Sequence, residues 1–284
     1  MSARIIGHLI CLIILFVSGL KAQDLKVQDV ISKHIASIGT VEKRKELKNM
    51  MLLGFSQFES TLPQRKSAGK LAIVSNSSNL LFISSFLSES YPFEKIGFFE
   101  GKITVPFVTP GIRSPLGDFL FEHPSLLNKG FFTGSMSLNW SLLENNQSRS
   151  KFRFAGTKKL DGRKTYVIEC FTEGTSEDFK IRLFFDSETF QHLRSEYREE
   201  FAGKEVPFSG RNPANSTLGQ INGYVMELTE SFSDFKTYED ITLPSTMKVH
   251  YSGSSSKGAY EYSWTFKVGD VKFNQTLKED FFTF

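Results

Sequence analysis

Residues 151–200 read KFRFAGTKKLDGRKTYVIECFTEGTSEDFKIRLFFDSETFQHLRSEYREE, and this stretch decides the fold. Phe152 and Phe154 alternate with charge and glycine, and Leu160-Asp161-Gly162-Arg163 is a hairpin turn of the Asp-Gly kind. Thr165 to Phe171 follow as a strand, the polar run Glu173 to Glu177 turns the chain, and Lys180 to Phe185 return it. Asp186-Ser187-Glu188-Thr189 makes the next turn, into a strand over Gln191 to Glu199. Period-two patterning broken by short polar turns is an antiparallel meander.

The same period runs through much of the chain. Met51, Leu53 and Phe55 alternate with Leu52, Gly54 and Ser56, and strands are expected at Leu71 to Val74 and Leu80 to Phe86. Lys95 to Phe107 hold one or two more, and Tyr224 to Phe235, Thr242 to Tyr251 and Tyr260 to Phe273 complete the set. About ten strands at roughly 10-residue spacing make a sandwich or a barrel.

Two segments break the pattern. In residues 24–48, Val27, Val30, Ile31, His34, Ile35 and Ile38 recur at helical spacing and Gly39 supplies a stop, before a charged turn at Val41 to Leu47. Residues 114–130 open with Ser114-Pro115, a cap and first-turn signal, and break at His123-Pro124. Each apolar run there is too short to be stable alone, so a jointed cover is expected. Residues 202–220 read as a polar loop. No internal repeat or linker divides residues 23–284, which read as one domain.

Residues 1–22, MSARIIGHLICLIILFVSGLKA, read as a cleaved export signal: Arg4, a short apolar core, then Ser18, Gly19 and Ala22. Their removal takes two of 34 basic residues and none of 31 acids, so a net charge of +3 falls to +1. With no dense Lys/Arg run, a nucleic-acid partner is not expected. Cys170 is then the one cysteine left, which forbids an intrachain disulfide. With 40% hydrophobic and 23% charged residues the chain is globular rather than disordered. Its 29 Phe against 8 Tyr and 2 Trp are apolar volume rather than polar-tipped surface.

A search for chemistry finds no G-x-S-x-G, H-E-x-x-H, Walker loop or G-x-G-x-x-G. His34 reads as a histidine at the edge of a core, and His192 and His250 as half-exposed residues of strands. Cys170 reads as a small buried hydrophobe, and Glu199-Glu200 and Glu279-Asp280 as solvated turns. No catalytic residue, metal or cofactor is expected. The remaining signal is an apolar one: a wide or incomplete barrel leaves an apolar cavity. The insert would contribute Leu116, Phe119, Leu120, Leu126, Leu127, Phe131 and Phe132 to a ligand site there, or else merely cover a sheet.

VISKHIASIG at 30–39, LDGRKTYVIE at 160–169, LFFDSET at 183–189 and RSPLGDFL at 113–120 together resemble bacterial proteins related to the outer-membrane lipoprotein-sorting carrier, the LolA/LolB-like superfamily. The resemblance spans most of residues 27–275. It implies a mainly β, half-open antiparallel barrel with an N-terminal helix and a central helical insert covering an apolar cavity. It further implies an exported monomer, in the periplasm or at the outer membrane. Its partners would be lipid or lipoprotein acyl chains, with peripheral contact to envelope membranes. The competing readings are an outer-membrane spanning barrel, suggested by Phe282 and Phe284 in terminal alternation, and a periplasmic hydrolase with scattered catalytic residues.

Overall fold

A computed structural model describes residues 26–283 apart from 62, 144–145, 207–218, 222, 256–257 and 279. The export signal expected at 1–22 lies outside the described residues. Helix α1 (Val27–Ile38) and the short α2 (Val41–Glu46) open the chain. Strands β1 (Met50–Thr61), β2 (Gln64–Ser75), β3 (Leu80–Phe86), β4 (Phe93–Phe99) and β5 (Lys102–Thr104) follow as a meander. A separate hairpin of β6 (Phe107–Thr109) and β7 (Ile112–Arg113) leads into α3 (Pro115–Glu122) and α4 (Ser125–Asn128). The second meander holds β8 (Lys151–Leu160), β9 (Arg163–Phe171), β10 (Phe179–Asp186) and β11 (His192–Phe201). It continues past a small hairpin, β12 (Lys204–Val206) with β13 (Gly219–Ile221), into β14 (Tyr224–Tyr238), β15 (Ile241–Ser255) and β16 (Gly258–Phe273).

Twelve strands form one antiparallel sheet in the order β5-β4-β3-β2-β1-β16-β15-β14-β11-β10-β9-β8. The expected strands are all present, twelve in the main sheet where about ten were expected, and the ends of the expected polar loop at 202–220 pair as the β12–β13 hairpin. The turns are the ones the sequence names. Asp161 and Gly162 both take positive φ (49° and 84°), as a two-residue hairpin requires. Asp186 accepts the Glu188 and Thr189 N–H groups at 2.9 and 3.0 Å. The two meanders join where β1 pairs with β16, Met50 opposite Phe273.

Among the described residues the sheet does not close; β5 and β8 are its edges. This overturns the spanning-barrel alternative, because an open edge in lipid leaves backbone groups unpaired at several kcal/mol each. Phe282 is also not on a strand. Residues 280–282 turn back, and Phe282, 5% exposed, packs with Val74 and Leu81 and stacks on Phe99 at the outer face of the first meander. Among the described residues no helix is long and apolar enough to cross a membrane.

The inner face carries the main core. Val30, Ile31, His34, Ile35 and Ile38 of α1 are buried on it, the stripe read from sequence. Arg44 of α2 donates to the carbonyls of Ile35 (3.2 Å) and Gly39, closing the C-terminal end of α1 with a cation. Residues 114–143 lie over the rest of that face.

Candidate functional site

The insert is built as the sequence suggests: α3, a break at His123-Pro124, then α4. Gly130 ends the turn after α4, with φ of 71° and Asn139 O so near that a Cβ would stand 1.7 Å away. The seven residues assigned to a ligand site come together in the main core, none more than 3% exposed. Phe132 meets Phe82 edge-on at 5.3 Å, and Phe119 meets Tyr251 at 5.0 Å. These residues fill the space between insert and sheet.

Apolar contact is not all that holds the insert. Glu94, fully buried on β4, accepts four donors: the Tyr91 and Ser114 hydroxyls and the N–H groups of Leu116 (3.2 Å) and Gly117 (3.0 Å). Its carboxylate thus stands at the N-terminus of α3, where two orphan N–H groups and the helix dipole favour an anion. Ser114 gives up its capping bond to serve it. Glu230, fully buried on β14, accepts the Thr133 N–H (2.8 Å) and the Tyr197 hydroxyl (2.7 Å), just beyond the other end. Burial raises both carboxyls to about 7, outweighing the donors that would lower them.

The joint sits among rings. His123 lies between Phe119 and Phe179, each centroid 4.5 Å away, with its Nε2 3.8 Å from Glu199. Burial lowers its pKa to about 4, so the imidazole is neutral and the contact is not an ion pair near neutrality. Glu199 and Glu200 are therefore not a solvated turn: both lie on β11, Glu199 half-buried and Glu200 exposed against Arg198.

Under the second end of the insert lies a histidine cluster that the sequence reading placed too near the surface. His192 is 0% and His34 1% exposed. Every turn of α1 presents its stripe to the sheet, and residues 131–140 cover the strand side as well. His34 bonds the Phe190 carbonyl through Nδ1 (3.0 Å) and accepts the Trp140 indole N–H at Nε2 (3.0 Å), which fixes a neutral tautomer. Its pKa falls to about 4 by burial, and that of His192 falls well below the ordinary value. Ser195 Oγ lies 3.2 Å from His192 Nε2, which also meets the Arg194 carbonyl at 2.9 Å. A serine, a histidine and Glu230 are thus gathered, but wholly inside the core, where they serve packing and the insert's anchorage. Cys170 is buried, as expected, and burial raises its thiol well above the usual range.

An apolar recess of about 110 Å3 opens at the α1–α2 end of the core. Ile38, Leu47, Met50, Leu138, Trp140, Leu143, Ile241 and Leu243 line it, with Ser135, Ser137 and Asn146 as polar points and Arg44 and Lys45 at its rim. Asn146 is 1% exposed, and its Oδ1 is buried without a hydrogen-bond partner among the described residues. None of the seven insert residues lines this recess. Its walls come from five separate segments, so no local pattern marks them, apart from Ile38 on the helical stripe.

No protein-family model matches the chain, and no curated protein matches it. Among solved structures it is similar to a LolA superfamily protein from Nitrosomonas europaea, at 12% identity and a TM-score of 0.47, over 90% of this chain and 97% of that one. It is also similar to a DUF1329 family protein from Desulfovibrio piger, at 8% identity and a TM-score of 0.41, over 90% and 97% of the two chains.

Proposed function

We propose that the chain is an exported, non-enzymatic binding protein that holds a lipid or an acyl-chain-bearing ligand between its open sheet and the jointed insert. The observation that carries this reading is the recess: an apolar pocket open to the surface, with a basic rim, continuous with a core roofed by a segment that has a built-in joint. At about 110 Å3 it accepts the end of one chain, well below the 300–1,000 Å3 of a drug-sized site. A longer ligand enters by lifting the insert and replacing the side chains of Leu116, Phe119, Leu120, Leu126, Leu127, Phe131 and Phe132 as the filling of the cavity. Lys45, exposed at the rim, suits an anionic head. The β6–β7 hairpin would give peripheral contact with an envelope membrane: Phe107 and Ile112 are exposed on it, and Arg113 stacks between the rings of Phe107 and Phe121.

Native mass spectrometry of gently purified mature protein is expected to show a lipid adduct, or saturable uptake of a long-chain fatty acid. A bare mass with no saturable uptake would refute the reading. Leu138, half-buried on the recess wall, gives a sharper test. Leu138→Trp should fill the recess and weaken fatty-acid binding about tenfold, the equivalent of about 1.4 kcal/mol, with the urea midpoint little changed. Undiminished binding would remove the recess from the site.

A further inference from the structure

We propose that Glu230 is a proton-dependent latch on the insert, holding its 131–134 corner closed as a neutral acid and releasing it as an anion. The inference rests on the reading of the insert as the cover of a ligand cavity. Its physical basis is the company Glu230 keeps. From β11 it is faced by Tyr197 and Ser195, with His192 beyond Ser195; from α1 by His34 behind His192; from β9 by Cys170 near Tyr197; and from the insert by Thr133. None of these is a cation near neutrality, since burial keeps both imidazoles neutral. Arg194, next in chain to Ser195, points its guanidinium away, to Ser231 (3.3 Å) and Asp161 (3.7 Å). An anion here is buried without a counter-charge, which is strongly unfavourable.

The hydrogen-bond geometry accommodates the extra proton. The Tyr197 hydroxyl lies 2.7 Å from Glu230 Oε2 and 3.0 Å from the Phe131 carbonyl, but has one proton for two acceptors. When Glu230 is protonated, its own O–H donates to the Tyr197 oxygen and the tyrosine proton is free for Phe131. When Glu230 is ionised, the tyrosine proton turns to the carboxylate, and Phe131 O keeps only the longer bond from Gly134 N–H (3.3 Å). The corner has little slack for this change. Thr133 sits at φ of 69°, its hydroxyl buried without a partner among the described residues, and a Cβ on Gly134 would stand 2.8 Å from His192 Nδ1. The Thr133 N–H gains strength against the anion, but one neutral donor does not offset the loss of hydration of a full charge. Raising the pH therefore favours the lifted insert, in which Glu230 meets water.

Hydrogen exchange of the full mature protein tests the latch without any ligand. Corrected for intrinsic rate, protection of the amides of Phe131, Gly134 and Met136 should fall about tenfold between pH 6 and pH 8. Glu230→Gln should abolish that dependence. Flat protection in the wild-type protein overturns the latch even if the variant fails to fold, and persistence of the fall in Glu230→Gln overturns it as well. Uptake of a fluorescent long-chain fatty acid, followed in parallel, should speed up over the same interval. Protection that falls while uptake stays unchanged would leave the corner's titration standing and sink the cover reading on which the ligand consequence rests.

Discussion

Replacing Glu94 by Ala should destabilise the protein by about 4 kcal/mol at pH 6, read as a fall in the urea midpoint with an unchanged slope. The reason is the number of groups left without an acceptor. The Tyr91 and Ser114 hydroxyls and the N–H groups of Leu116 and Gly117 all point at this carboxyl, and their surroundings are dry. Each buried donor stripped of its partner costs about 1–3 kcal/mol, less whatever water enters the gap. The effect also spreads, because Tyr91 accepts the Trp264 indole N–H at 2.8 Å and packs on Phe58 with centroids 4.0 Å apart. Glu94→Gln should cost less than half as much: it keeps an amide oxygen for two donors, and Ser114 can turn to accept from the new NH2 group. A Glu94→Ala midpoint close to that of the wild type would show that the N-terminus of α3 is held by apolar packing alone.

Stability should also have an unusual pH profile, because buried carboxyls and buried histidines pull it in opposite directions between about pH 4 and pH 7. In the folded protein Glu94 and Glu230 keep their protons up to about pH 7, whereas in the unfolded chain they release them near 4.5. The folded state therefore binds the extra protons between those values, and stability is lost as pH rises through that window. Each carboxyl accounts for about 3 kcal/mol by pH 8 at 1.36 kcal/mol per unit of pKa. His34 and His123 act in the opposite sense. They stay neutral when folded down to about pH 4 but would be protonated below 6.5 when unfolded, so stability is lost as pH falls from 6.5 to 4. Urea titrations at pH 5.5 and pH 8 isolate the carboxyl part. The stability difference between wild type and Glu230→Gln should shift by about 2 kcal/mol in favour of the variant at the higher pH. An unchanged difference would mean that Glu230 is not buried as a neutral acid.

Both effects come from glutamates that interrupt the apolar phase of their strands. Glu94 shares its strand face with the buried Ile96 and Phe98, and Glu230 with the buried Leu228 and Phe232; each stands on the apolar phase of its strand. Insert and helix cover that inner face, so a carboxyl on it is sealed in among core residues and must find donors. His192 was misplaced for the same reason. Ser195, three residues on, is its neighbour through the bulge that shifts register between Phe184 and Phe185.

What the sequence determined by itself is what short range controls. Period-two alternation fixed the strands, Asp161-Gly162 and Asp186 fixed the turns between them, and the stripe from Val27 to Ile38 fixed the helix face that would be buried. His123-Pro124 fixed the joint in the insert, because proline denies helical geometry to the residue before it. Only the tertiary structure decided the rest. The pairing of β1 with β16 joins residues more than 200 positions apart, and the open edges at β5 and β8 follow from which strands find no further neighbour. The recess and the two carboxyl anchors exist because distant segments converge on one desolvated space. Hydrophobic patterning records which residues avoid water, but not which polar groups are enclosed with them; that depends on the cover, and the cover is chosen by packing across the whole chain.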